Sequence, residues 1–518
     1  MTQTAWRPKH NPWLITVVVS LAAFMETLDT SIANVALPYI AGGLGVGSDE
    51  STWVLTSYLV SNAIVLPISG FLVSIFGRKR FFLSCIFLFT MSSIACGVAP
   101  SLGLLLLFRV IQGAAGGGLQ PMAQAILADT FPPAQRGLAF SLYGITAVMA
   151  PTIGPTLGGW ITDSYSWRWV FLINGPVGLV AIMLVLHVLE DPPYLKRLRS
   201  GGIRFDYIGF SLLALGVGAL QVALDKGQQD DWFGSRFITA LLLTAGACLT
   251  VLVVWELFHE NPIIDLRLFT NLNFASANVM MLVLGVIYFS SLVMMPQFLQ
   301  SLAGYSALKA GIVVSSAGAA LLTMLPIVGK LTSRIQARFL IALGWCLLAA
   351  SMMTTARSID LTLSFSTASW LRVFQAAGLP LLFVPITLAA YVGLPAQKSS
   401  SAAGLINFMR NIGSSIGTSM VTTLIARRSQ FHQTQLVPRI APDNPTFEAQ
   451  WEALATRLSD AGLGAYEGQR QALARIYQMV LNQAATLAYI DTFWILGFGA
   501  GVMFLLSFVL RKNDPRAT

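Results

Sequence analysis

Arg109-Val110-Ile111-Gln112-Gly113 and, at an offset of 263 positions, Arg372-Val373-Phe374-Gln375-Ala376 repeat one order of residue types inside apolar surroundings. An ionisable residue within a membrane helix costs about 2.5–3.5 kcal/mol on the insertion scale. An arginine followed by a glutamine one turn on therefore marks a repeated unit when it occurs twice. The same offset aligns Thr152-Ile153-Gly154 with Ser415-Ile416-Gly417. An offset of 259 aligns Gly70-Phe71-Leu72 with Gly329-Lys330-Leu331, each leading into a basic loop. Internal repeats in an apolar chain predict two pseudo-symmetric helical bundles, a cavity between them, and alternating access by rocking.

Composition agrees. Of 518 residues, 55% are hydrophobic and 11% charged, whereas a soluble domain carries about a quarter charged residues. Most of the outer surface must then face lipid. The net charge of +9 is the expected excess of Lys and Arg in loops held on the cytoplasmic side, so no nucleic-acid partner is implied. Cys85, Cys96, Cys248 and Cys346 all lie in apolar runs, which argues against a disulfide framework or a Cys-based metal site. Arg7 and Lys9 precede an apolar run from Trp13. No small-residue cleavage site follows, so the run reads as an uncleaved first helix.

Roughly 20 apolar residues cross a bilayer as a helix. That ruler finds fourteen candidate spans, the first near 14–38, the seventh and eighth near 207–225 and 237–258, the thirteenth near 402–425 and the last near 488–510. The expected fold is an all-α polytopic membrane protein. Residues 1–190 form a six-helix bundle, 191–273 a linker with two inserted spans, and 274–518 a second six-helix bundle. With both termini cytoplasmic, the inner loops and tails hold eighteen basic residues, among them Arg78, Lys79, Arg80, Lys196, Arg197, Arg199, Arg204, Arg334, Arg338, Arg511 and Lys512. The short outer loops hold five: Arg168, Lys226, Arg236, Lys309 and Arg357. Positive residues stay inside.

One outer connection is long. Residues 426–487 are polar, and Asn444-Pro445 reads as a helix start followed by Phe447, Trp451, Leu454 and Leu458 at helical spacing. The stripe is expected either to dock a periplasmic partner or to cap the protein's own outer face.

Ionisable groups within spans are the functional candidates. Glu26 and Asp29 are three apart on one helix face. Two carboxylates so close in low dielectric repel, which favours one of them holding a proton near neutral pH, as a proton-coupled carrier requires. Arg109 must find acceptors, such as a carboxylate of the first span. Arg372 repeats it, which favours a structural role common to both halves. Arg410 has no such twin and, with Asn34, Gln112 and Asn407, is a candidate for the substrate cavity. Ala150-Pro151-Thr152-Ile153-Gly154-Pro155-Thr156-Leu157-Gly158-Gly159 combines prolines that bend a helix with glycines that allow close approach. It reads as a gating or sealing element rather than a ligand site. There is no phosphate-binding loop with its lysine, and His10, His187, His259 and His432 are scattered. No cofactor, metal or enzymatic site is expected.

These motifs resemble the fourteen-span drug:proton antiporter branch of the major facilitator superfamily. Leu28-Asp29-Thr30-Ser31-Ile32-Ala33-Asn34-Val35-Ala36-Leu37-Pro38 is similar to that branch's first-span motif. Gly154-Pro155 with Gly158-Gly159 is similar to its antiporter motif, and Arg109 with Gln112-Gly113 to a fourth-span motif whose arginine is implicated in proton transfer. Within the branch the chain looks most like the EmrB/FarB-type exporters of Gram-negative bacteria. The resemblance implies proton-coupled efflux of amphipathic toxic compounds across the inner membrane, with a periplasmic adaptor and an outer-membrane channel as partners. Gly70, Gly77 and Arg78 match the family's inner-loop motif, but Ser74 and Ile75 stand where it carries Asp and Arg. A metabolite transporter of the same fold is one alternative. A receptor or scaffold that does not transport is another.

Overall fold

In hydrocarbon every backbone polar group must be satisfied within its own segment, so the apolar runs become helices. The computed structural model describes residues 8–191, 205–260, 262–440 and 444–510, and no strand occurs among them. Arg7, Lys196, Arg197, Arg199, Arg204, Arg511 and Lys512, counted among the inner charges, lie outside the described residues. Thirteen helices there are long and apolar enough to span. In the first half these are α1 (Pro12–Leu44), α2 (Trp53–Phe76), α3 (Arg78–Gly97), α4 (Leu102–Thr130), α5 (Pro133–Ser164) and α6 (Trp169–Val188). The inserted pair is α7 (Tyr207–Lys226) and α8 (Arg236–Phe258). The second half contributes α9 (Leu272–Ser301), α10 (Leu308–Leu331), α11 (Ala337–Ser358), α12 (Phe365–Ala390) and, last in the chain, α15 (Ala465–Leu506).

The expected thirteenth span is α13 (Ser399–Leu436). It is a continuous helix, but Asn407, Arg410, Asn411 and Ser414 keep it below the apolarity of the others. Its polar residues are accommodated because it packs among α2, α4, α9 and α15. Helix pairing repeats between the halves. In the first, α5 packs on α1, α2 on α4, and α3 on α4 and α6; in the second, α13 packs on α9, α10 on α12, and α11 on α12 and α15. The halves meet along α2–α13 and α5–α10. The inserted α7 lies over that seam, with Gln221 Nε2 donating to Ser415 Oγ at 2.8 Å. Leu243 and Phe258 on α8 are exposed at 70% and 84%, as a lipid-facing helix demands.

The segment 426–487 is mostly helix rather than loop, because polar side chains end an apolar run without ending the helix beneath it. α13 continues to Leu436, and α15 begins at Ala465. Between them α14 (Pro445–Asp460) starts where Asn444 Oδ1 accepts from Thr446 N at 3.1 Å. Trp451, Leu454 and Leu458 turn inward against Ala472 on α15, and Trp451 Nε1 donates to Gln469 O at 3.1 Å. Phe447 is half-buried at the start of the same helix. Arg428 and His432 on α13 both reach Asp491 on α15, at 2.7 and 2.6 Å, and tie the hairpin to the bundle. This hairpin stands on the far face of the protein; the near face is the one where α1 begins.

Candidate substrate and proton site

Asp29 is fully enclosed within the first half. Arg109 Nη1 donates to its Oδ2 at 2.7 Å, while Gln112 Nε2 and Asn174 Nδ2 donate to Oδ1 at 2.9 and 2.7 Å. The guanidinium is held in turn by Val54 O (3.0 Å), by Gln112 Oε1 (2.8 Å), and by the Tyr58 ring, whose centroid lies 4.2 Å away. Charge-assisted bonds of this kind, buried on every side, fix one geometry. Ser93 Oγ accepts from Asn174 and donates to Phe171 O, so α3 and α6 orient the amide that completes the set.

Glu26, one turn before Asp29, faces a different environment. It lines a cavity of about 370 Å³ at the junction of the halves, walled by residues of α1, α2, α4, α5, α9, α10, α12 and α13. Tyr58 OH and Asn62 Nδ2 donate to Glu26 Oε1 at 3.2 and 3.3 Å, and Thr27 and Gln120 donate to Oε2. Every direct partner among the described residues is neutral. Arg410 reaches Gln120 from the second half, so its charge acts on Glu26 through one amide. No hydrogen bond joins the two carboxyl groups among the described residues. Tyr58 stands between them, its hydroxyl on Glu26 and its ring against Arg109. Glu26 is the carboxylate that a molecule in the cavity meets, and Asp29 lies behind it.

The predicted cavity residues divide. Asn34 and Arg410 line it. Gln112 belongs instead to the Asp29 network, because its amide is consumed by Asp29 and Arg109. Asn407 is also withdrawn, clasping Gln124 across the halves with Nδ2 to Oε1 at 2.8 Å. Arg372, expected to be structural, lines the cavity. Tyr58, Asn62, Gln120, Asn174 and Asn411 escaped the sequence reading, since single polar residues in apolar spans carry no pattern until folding brings them together.

The glycines seal helices. A Cβ on Gly154 would collide with Ser31, and one on Gly158 would sit 3.1 Å from Ile32 Cγ2, so α5 lies directly on α1. Gly159 has open space beside it and plays no such part. Pro155 lies within the continuous α5, and Pro151, one turn earlier, lines the cavity. Towards the near face the halves themselves touch. A Cβ on Gly70 would stand 2.5 Å from Ser401 Cα, one on Gly404 2.6 Å from Leu66 O, and one on Gly137 2.8 Å from Gly329 O. Gly77 has φ +81°, a left-handed value suited to glycine, and directs the chain into α3. The next residue, Arg78, pairs with Asp129 of α4 at 2.5 Å, and Ser399, first residue of α13, donates to the same carboxylate at 2.9 Å. Although Ser74 and Ile75 replace the family's acidic and basic pair, Arg78 thus has a buried acidic partner in contact with both halves.

A family model described as Major Facilitator Superfamily matches residues 19–418. The chain is similar to the multidrug export protein EmrB of Escherichia coli (strain K12), 36% identical over 493 residues that cover 95% of this chain and 93% of that protein. It is also similar to the fatty acid resistance protein FarB of Neisseria gonorrhoeae, 35% identical over 457 residues and 87% of each chain. Among solved structures, the proton:xylose symporter XylE bound to 6-bromo-6-deoxy-D-glucose matches with a TM-score of 0.61 over 98% of this chain and 97% of that one. At 13% identity that is a likeness of fold alone.

Proposed function

The chain belongs to the Major Facilitator Superfamily, and on that footing we propose that it expels amphipathic toxic compounds across the inner membrane in exchange for protons. The observation that carries this reading is Glu26, a carboxylate in a largely apolar cavity with only neutral direct partners. Such a group can hold a proton when the cavity is empty and release it when the cavity opens to a more alkaline side. The near face is the cytoplasmic side by its basic residues, Arg80, Arg136, Arg334, Arg338 and Lys398 among them. With the near-face glycine contacts closed, Glu26 takes a proton from the far side. Rocking then exposes the cavity to the cytoplasm, where the proton leaves and the compound binds. Asp29 and Arg109, locked together behind Tyr58, hold α1, α2 and α4 in register and place a fixed charge pair beside the exchanging group.

We further propose that the far-face hairpin, α14 with the ends of α13 and α15, receives a periplasmic adaptor that leads to an outer-membrane channel. Its position beyond the bundle and its anchoring through Asp491 support that role. Since Trp451, Leu454 and Leu458 are turned onto α15, the adaptor meets the hairpin's shape rather than those side chains directly.

The test is Glu26→Gln in proteoliposomes. Uphill transport driven by a pH gradient is expected to vanish, while gradient-free exchange of labelled for unlabelled compound continues. Unimpaired uphill transport by a well-folded Glu26→Gln protein would refute Glu26 as the exchanging group.

A further inference from the structure

The second half repeats the Asp29–Arg109 arrangement with one part missing. Arg372 donates to Gln375 as Arg109 does to Gln112. A sulfur atom closes each set, Cys96 Sγ at 3.7 Å from Gln112 Oε1 and Met352 Sδ at 3.2 Å from Gln375 Nε2. Where the offset of 259 would place a partner for Asp29, the chain has Tyr288. Its ring centroid lies 5.4 Å from the Arg372 guanidinium, in a π turn at Gly285–Phe289 that interrupts α9. A phenol can share a hydrogen bond with a guanidinium but cannot balance its charge. Arg372 is 1% exposed, its Nε and Nη2 have no hydrogen-bond partner, and no carboxylate pairs with it among the described residues. Unlike Arg109, it borders the cavity. A buried guanidinium without an anion is costly, and a carboxylate or its equivalent is what its planar fork accepts. Among the described residues the cavity's charged side chains are also unbalanced, with Arg372 and Arg410 set against Glu26 alone.

We propose that the transported molecule supplies the missing anion: Arg372 is the subsite for an oxyanion headgroup, and the attached apolar body lies against Phe289, Leu292, Leu379 and Phe383. The inference rests on the reading of this cavity as the transport site and adds the chemical class of what it holds. It also assigns the two repeated arginines different tasks. Arg109 is closed by Asp29 of the protein itself, and Arg372 is left open for cargo.

A matched pair of fluorescent probes tests this on the full-length protein in detergent, with no gradient present. Anilinonaphthalene sulfonate carries an oxyanion on an aromatic body, and phenylnaphthylamine is the same body without it. Saturable binding of the sulfonate by the wild type is expected to weaken about tenfold or more in Arg372→Gln, with an intermediate loss in Arg372→Lys and little change for the neutral probe. Equal weakening of both probes, or none for the sulfonate, would overturn the assignment. Should Arg372→Gln not fold, the wild type decides alone, because saturable binding of the neutral probe but not of the sulfonate contradicts an anion subsite. Sulfonate preference without gradient-driven transport would sink the exporter reading and leave this site standing. Gradient-driven efflux without that preference would remove the site alone.

Discussion

The Tyr58 hydroxyl binds Glu26 while its ring backs the Arg109 guanidinium, so one side chain touches both ionisable centres of the first half. Tyr58→Phe keeps the ring and removes the hydroxyl. Its expected effect is a changed pH dependence of transport with a stability loss of only about 1 kcal/mol, read from pH–rate profiles beside thermal unfolding. Asp29→Asn should behave differently. It leaves the Arg109 charge enclosed without its counter-charge, at a cost of about 3–5 kcal/mol, seen as a lower Tm in detergent. Asp29→Asn with Arg109→Gln should recover part of the loss, and equal unfolding of single and double variants would show that the pair contributes nothing. The sequence identified Glu26, Asp29 and Arg109 because charges in apolar runs stand out. It was silent on which carboxylate meets the cavity. That depends on Tyr58, Asn62, Gln120 and Asn174, whose roles follow from where three separate helices put them.

At the scale of helices, the glycines of α5 differ in a way their spacing conceals. Gly154 and Gly158 face α1 at contact distance, whereas Gly159, adjacent in sequence, faces open space. Gly154→Leu is expected to block turnover and to lower stability, because Ser31 and the α1 backbone cannot retreat. Gly159→Ala should stay within about 0.5 kcal/mol of the parent. Transport assays beside thermal unfolding of both variants check this, and equal effects would mean that α5 does not lie on α1 as described. The repeat alignment of Gly154 with Gly417 was legible, and the packing agrees with it, since a Cβ on Gly417 would stand 2.6 Å from Val286 Cα of α9. The hairpin was less legible, because hydropathy marks where a helix leaves the bilayer and not where it ends. Trp451→Asp removes the contact between α14 and α15. It should loosen residues 465–476 to hydrogen exchange while leaving proteoliposome transport intact, and loss of that transport would mean that the hairpin belongs to the transport machinery itself.

Across the whole molecule, the halves touch through glycines towards the near face and through the Arg78–Asp129–Ser399 cluster, with the cavity farther along the same seam. In the proposed cycle, rocking about Glu26 exchanges this seal for another, and the cavity's two proposed tasks, holding a proton and holding cargo, then alternate between faces. Antiport requires that those two fluxes oppose each other. In wild-type proteoliposomes carrying a pH-sensitive dye, with a concentration gradient of an amphipathic compound as the sole driving force, compound movement should drive protons the opposite way, and collapsing the compound gradient should abolish the signal. Compound flux with no proton movement, or with protons travelling in the same direction, would contradict it.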